Sequence, residues 1–268
     1  MPKALVAVLL VIVLVPTASA QDLARQALDD PDFDWRSLEN TEARVYYKAG
    51  SFAERHRDML LRAVSMAIEE DLEFLGESTY EPRLNVFFVD DRAEMERIVG
   101  SPVTGLANWS ADAIFLVFAP DWRSFEKHEF AHIITMGVWG TPHESSRWMI
   151  EGIAIAADGW CREYSVDEIA YHYLTAGELP ALSELPTGMR ELGEIRGGVY
   201  AASVIAFIRS KYGPGAVREL WTKGSAVLSD TRGGTFDTIE DSWKEYLEWK
   251  VGDGVQVDMK SIDDNGCG

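Results

Sequence analysis

The sequence has little cysteine, which limits the kinds of site it can build. Only Cys161 and Cys267 are present among 268 residues, and neither lies at metal-ligand spacing from another candidate ligand. A metal site built on cysteine is therefore not expected. In an oxidising compartment the two cysteines could form one disulfide that ties the C-terminal tail to the segment after residue 158; the alternative is two unpaired thiols.

Positive charge is also scarce. The chain has 25 lysines and arginines against 44 aspartates and glutamates, a net charge of −19. Nucleic acid binding depends on neutralising phosphates with basic side chains, so this balance argues against a nucleic acid partner. The excess of acid is typical of a chain that stays soluble.

Long apolar runs are missing after the first twenty residues. At the N-terminus, Lys3 precedes the apolar run 4–15, and Ala18-Ser19-Ala20 has the small residues of a cleavage site. This pattern predicts a secretory signal peptide cleaved after Ala20, since the run is short for a membrane span. We expect a secreted or periplasmic chain with no stable membrane insertion; retention as an uncleaved anchor is the alternative.

Histidine is limited to five residues, and two of them fall in the pentapeptide 128–132. On a helix, His128 and His132 are one turn apart on the same face, where two neutral imidazoles can bind one metal ion. Glu129 points about 100° away, toward a water on that metal. The alternative is a charged helix face with two histidines, but the apolar residues of 125–138 leave little of this helix to face water.

A third ligand is expected on the next helix. The run 147–157 is nearly uncharged and has one carboxylate in its middle, Glu151. A buried carboxylate must be paired, protonated or metal-bound. Metal binding is the simplest of these outcomes, and the 18 residues between His132 and Glu151 allow a loop and a second helix.

The combination of His-Glu-x-x-His with Trp148-x-x-Glu151-Gly152 resembles the gluzincin zinc peptidases, particularly the peptidase MA-like domains of bacterial secreted proteins. The resemblance spans about residues 40 to 250 and is strongest at the two ligand helices. It implies a Zn²⁺ cofactor bound by His128, His132 and Glu151, with Glu129 as general base and a peptide or protein as substrate.

The same resemblance suggests further roles. Gluzincins stabilise the oxyanion with a tyrosine or histidine, and Tyr200 is the first candidate because glycines before it allow a close approach. The reserves are His172, Tyr171 and Tyr164, and an ordinary packing or surface role is the alternative for each. Asp158 is a candidate for orienting a ligand. The chain departs from thermolysin-like enzymes at Ile155, where they have an acidic residue.

Substrate binding is expected at the strand 105–109, because gluzincins pair the substrate backbone with the sheet edge beside the metal helix. Related aminopeptidases have an acidic residue there that holds a free amine, and this stretch has none. The absence favours an endopeptidase. An ordinary hairpin with Trp109 in the core is the alternative.

Hydrophobic periodicity predicts an α+β protein. Residues 21–40 are expected to be irregular and the tail from Gly252 mobile unless Cys267 holds it. The domain is expected to span residues 21–268. The resemblance implies a gluzincin catalytic domain of the thermolysin or MA-like fold, with an N-terminal mixed-sheet lobe at about 40–145 and a helical lobe at about 146–250. The predicted strands are 43–48, 83–89, 104–109 and 113–118; the predicted helices are 52–75, a short one ending at Gly100, 125–138, 147–157, 165–176, 200–211, 214–221 and 238–249.

The signal peptide, the metal-ligand spacing and the resemblance together imply a secreted zinc-dependent peptidase of the gluzincin type. Two alternatives stay open. One is a zinc-binding interaction module without catalysis, and the other is an amidase that acts on cell-wall peptides with the same chemistry. Side-chain preference and oligomeric state do not follow from the sequence.

Overall fold

The computed structural model describes residues 23–120, 126–143, 147–230, 236–252 and 255–265 of an α+β protein. The elements of the first half are helix α1 (Leu23–Asp29), strands β1 (Trp35–Glu39) and β2 (Ala43–Lys48), helix α2 (Phe52–Leu75), strand β3 (Leu84–Val89), helix α3 (Arg92–Val99), strand β4 (Gly105–Asn108), the 3-10 turn Trp109–Ala111 and strand β5 (Ala113–Val117).

Five strands form one mixed sheet in the order β1-β2-β3-β5-β4. The three inner strands β2, β3 and β5 are parallel, whereas β1 and β4 lie antiparallel at the two edges. Every residue of β5 is buried, as is typical of a strand covered on both faces. Among the described residues, β4 therefore has a strand neighbour on one side only.

One face of the sheet packs on an aromatic stack. Phe87 lies between Tyr46 and Phe115, with ring centroids 4.5 and 4.7 Å away. Leu106 of β4 packs against this cluster. Side chains alternate along a strand, so positions 105 and 107 face the opposite side of the sheet from Leu106.

The second half is mostly helical. Its elements are helices α4 (Glu126–Trp139) and α5 (Arg147–Asp158), strands β6 (Trp160–Cys161) and β7 (Tyr164–Ser165), helix α6 (Val166–Thr175), the 3-10 turn Leu182–Glu184, and helices α7 (Leu185–Gly188), α8 (Glu194–Tyr212), α9 (Pro214–Lys223), α10 (Val227–Asp230), α11 (Phe236–Lys250) and α12 (Met259–Asn265).

Small residues bring α5 and α8 close together. A Cβ at Gly152 would meet the Cβ of Ala201 at 3.0 Å, and one at Gly198 would meet the Cδ1 of Ile155 at 2.7 Å. Such close packing holds α5 in one position, because neither helix has room for a larger side chain at the contact.

The chain divides into two compact units. One consists of residues 1–66 and 81–129 and contains the five-stranded sheet; the other consists of residues 67–80 and 130–268 and contains the helices from α5 onward. The division falls within α2 and within α4.

Local signals in the sequence account for several boundaries. The carboxylate of Asp91 accepts hydrogen bonds from the backbone N–H groups of Ala93 and Glu94, and Gly100 ends α3 with φ 80°. This confirms the predicted end of the helix at Gly100. Ser165 and Glu168 form a capping box at the start of α6.

Three predicted features of the termini have different outcomes. The predicted signal peptide 1–20 lies outside the described residues, and none of the helices within them has the length and apolar character needed to cross a bilayer. Cys161 is buried and disulfide-bonded, and Cys267 lies outside the described residues. The tail contains α12, whose Ile262 is buried, and the Arg162 guanidinium donates to the carbonyl oxygen of Ser261 at 3.3 Å.

Candidate metal centre

Both histidines project from helix α4, most of whose apolar side chains are buried. The apolar side chains of Phe130, Ile133 and Ile134 are fully buried, so the helix is fixed by its packing. His128 and His132 are four residues apart and project from one face. His128 is buried, and the side chain of His132 is 10% exposed.

Helix α5 supplies the third group. Glu151 is 2% exposed and sits in the apolar middle of the helix, next to Gly152 at the close contact with α8. Its Oε2 lies 3.8 Å from Nε2 of His132. A carboxylate at this depth needs a cationic or hydrogen-bonding environment, since burial penalises its charged form.

One ligand atom from each of His128, His132 and Glu151 lies within 4.8 Å of the other two. Within the described residues this is the one group of three or more histidine, cysteine or acidic side chains with such geometry. A tetrahedral ion with bonds of about 2.1 Å separates its ligands by roughly 3.4 Å, so small side-chain rotations bring the three atoms to bonding distance. The group could therefore hold a metal ion.

The electrostatics of the site fit that role. Burial lowers the pKa of His128 to about 4, which keeps the imidazole neutral and its lone pair available. Burial raises the pKa of Glu151 to about 7; the charge of Arg147 opposes this shift and that of Glu194 adds to it. A cation bound at Glu151 would favour its ionised form, which is the form that binds metal.

Glu129 is buried beside His128 and lies against the edge strand. A Cβ built on Gly105 would meet Oε1 of Glu129 at 2.6 Å, so the carboxylate reaches the backbone of β4. Sequence reasoning missed this contact, because the two residues are 24 positions apart and the pairing depends on the register of β4.

The Tyr200 hydroxyl has a hydrogen-bond partner outside the metal triad. That hydroxyl donates to the carbonyl oxygen of Pro180 at 3.2 Å, and the ring packs on Trp243 with centroids 5.1 Å apart. Burial raises the pKa of Tyr200. These contacts are those of a core tyrosine, and its catalytic role stays a prediction.

The other candidates have surroundings of their own. The Tyr164 hydroxyl accepts a hydrogen bond from the backbone N–H of Asp258 at 3.1 Å, and His172 is half-buried beside Tyr173. Asp158 is half-buried at the end of α5, and Ile155 packs on Gly198. Arg147 was not singled out in the sequence; its guanidinium lies 3.5 Å from the Glu194 carboxylate, and its charge acts on Glu151.

In comparisons with protein-family models and with curated protein sequences, nothing matches this chain.

Proposed function

We propose that this protein is an exported, zinc-dependent peptidase of the gluzincin type. The observation that supports this most is the convergence of His128, His132 and Glu151, with ligand atoms within 4.8 Å of one another. Two imidazoles and one carboxylate are a ligand set of catalytic zinc sites, in which the fourth position is left for water. Zinc is the best match to this mixture of nitrogen and oxygen donors.

Zinc bound at this site would supply a Lewis acid and would lower the pKa of a bound water to about 7. His128, His132 and Glu151 would hold the ion. Glu129, one residue after His128, would accept a proton from the water and deliver it to the leaving amine. Burial of Glu129 and of two ligands excludes bulk water and strengthens the electrostatic interactions of the site.

A peptide is the substrate class that suits the neighbouring strand. β4 is an edge strand, and the Glu129 carboxylate lies against its first residue, Gly105. An extended peptide could pair through its backbone with the outer edge of β4, which has no neighbouring strand in the part of the chain that the structure describes. The stretch 105–109 contains no acidic side chain that would bind a free amine, which supports an endopeptidase.

The decisive experiment combines metal analysis of the purified protein with hydrolysis of a peptide library. We expect one zinc per chain, and we expect Glu129→Gln to keep zinc and folding while hydrolysis falls by about 10²- to 10⁴-fold. Glu69→Gln, an exposed change of the same type on α2, is the matched control and should leave hydrolysis unchanged.

Each alternative has its own outcome in this experiment. Zinc binding without hydrolysis of any library peptide would favour a non-catalytic binding module. Cleavage restricted to purified cell-wall peptides would favour the amidase. A protein that binds no metal would contradict the proposal as a whole.

A further inference from the structure

The side chain of Glu129 occupies the space that a methyl group would fill at Gly105. The three nearest heavy atoms to a Cβ built on Gly105 all belong to Glu129: Oε1 at 2.6 Å, Cγ at 2.9 Å and Cδ at 3.0 Å. Real Cβ atoms essentially never have neighbours closer than 3.0 Å. An alanine at this position would therefore require the Glu129 side chain to move.

Backbone conformation does not require a glycine at position 105. Its φ lies outside the left-handed region, so an L-residue can adopt the same backbone. The strand itself is held in register, with Gly105 opposite Leu116 of β5. The requirement for glycine comes from the neighbouring carboxylate and not from the strand.

We infer that Gly105 is a positioning residue for Glu129: the bare backbone at the start of β4 sets where the buried carboxylate lies beside the metal triad. This inference rests on the proposed function, in which Glu129 acts as general base. A glutamate side chain has several rotatable bonds, and the backbone of Gly105 on one side limits the rotamers that Glu129 can adopt. A methyl group at position 105 would displace the carboxylate by about 1 Å, enough to lower a rate by roughly 100-fold.

The first test is Gly105→Ala in the zinc-loaded protein. We expect kcat to fall by roughly 10- to 100-fold, with KM and zinc content unchanged, because the three atoms nearest to a Cβ at position 105 all belong to Glu129. Gly215→Ala is the matched control. A Cβ there meets nothing within 4 Å and its φ is also outside the left-handed region, so kcat should stay at the wild-type value.

The second test asks whether the effect passes through Glu129. Glu129→Asp shortens the side chain by one methylene, so a methyl group at position 105 then has room. In that background Gly105→Ala should lower kcat by less than about 2-fold, a non-additivity that identifies residues in contact. Thermal unfolding gives a readout independent of catalysis: Gly105→Ala should lower the Tm of the wild type but not that of Glu129→Ala.

Several outcomes would overturn the inference. A wild-type kcat in Gly105→Ala would show that the contact does not position the base. An equal loss of kcat in the wild-type and Glu129→Asp backgrounds would show that the methyl group disturbs the strand and not Glu129. If the effect of Gly105→Ala on Tm depended on residue 129 but its effect on kcat did not, the contact would have a packing role only. Failure of the proposed function is distinguishable, because the wild type would then hydrolyse no peptide at all.

Discussion

Two buried carboxylates in the helical half have opposite surroundings. Asp167 of α6 accepts hydrogen bonds from the Ser203 hydroxyl at 2.7 Å, the Tyr246 hydroxyl at 3.2 Å and the Lys250 ammonium at 2.6 Å. Each of these neighbours brings a proton. Glu151 of α5 instead faces imidazoles, with His132 Nε2 at 3.8 Å.

Asp167 belongs to a hydrogen-bonded structural cluster, whereas Glu151 belongs to a group that could hold a metal ion. At Asp167 the protein supplies its own counter-ion and hydrogen-bond donors, and Trp243 extends the cluster by donating to Ser203 at 3.0 Å. At Glu151 the neutral imidazole of His128 offers a lone pair, which binds a cation and does not replace one. Burial alone therefore does not identify a metal site; what matters is whether the neighbours bring protons or lone pairs.

The largest expected effect is a zinc-dependent gain in stability that involves the triad alone. Adding zinc to metal-free protein at 1,000 times its Kd should raise the free energy of unfolding by about 4 kcal/mol. His132→Ala should remove this gain. Asp167→Asn should keep it, although its free energy of unfolding without zinc should be lower than that of the wild type. Differential scanning calorimetry with a zinc titration measures both. A zinc effect that survives in His132→Ala would place the ion elsewhere.

The second prediction concerns pH in the metal-free protein. Burial raises the pKa of Glu151 to about 7, so between pH 4.5 and 7 the folded chain keeps a proton that the unfolded chain has released. The Glu151 contribution to stability is therefore lost as pH rises through this range. It amounts to about 3 kcal/mol in all.

His128 has the opposite sign, because burial lowers its pKa to about 4 and the unfolded chain binds the extra proton below pH 6.5. The two slopes oppose each other, so the measured quantity should be the difference in unfolding free energy between wild type and Glu151→Gln. That difference should shift against the wild type as pH rises from 4.5 to 7. A pH-independent difference in urea unfolding would contradict the shifted pKa.

The third prediction tests the structural cluster. Asp167→Asn places an amide where three donors converge and removes the counter-ion of Lys250. It should lower the free energy of unfolding by about 2 kcal/mol, the usual effect of leaving buried polar groups poorly matched. Zinc content should be unchanged, as measured on the same sample by metal analysis. Loss of zinc in this variant would mean that the two clusters are coupled.

Most of the regular structure could be predicted from local patterns. Helix α2 has the predicted bounds, and α4 and α5 each end one residue later than predicted, because apolar spacing is encoded within each segment. The predicted first residue of α4, Phe125, lies outside the described residues. Two elements were wrongly expected to be irregular. α1 and β1 lie within residues 21–40, where Ala27 and Phe33 are buried by contacts distant in sequence.

The site shows the same contrast between features that local patterns encode and features that depend on contacts distant in sequence. The three candidate ligands could be chosen because motif spacing and one isolated carboxylate are visible in the sequence, and their ligand atoms lie within 4.8 Å of one another in the structure. Helix α8 begins at Glu194, six residues before its predicted start, since its first turn lies in a stretch rich in glycine and charge. The contact of Glu129 with Gly105 and the hydrogen bond of Tyr200 to Pro180 depend on how separate segments pack, and no local pattern encodes them.

The smallest predicted effect compares the Lys250 ammonium with the two hydroxyl groups that also donate to Asp167. The Lys250 side chain is 46% exposed, whereas that of Asp167 is 2% exposed, so solvent screens the ion pair from one side. Lys250→Met keeps an apolar stem over the ring of Tyr246 and leaves Asp167 with two hydroxyl donors. The loss in unfolding free energy should be about 1 kcal/mol or less, well below that of Asp167→Asn. Raising the salt concentration should shrink the gap between wild type and Lys250→Met, because salt screens the exposed ammonium. A salt-independent loss as large as that of Asp167→Asn would mean that the ammonium, and not the hydroxyl groups, holds the buried carboxylate.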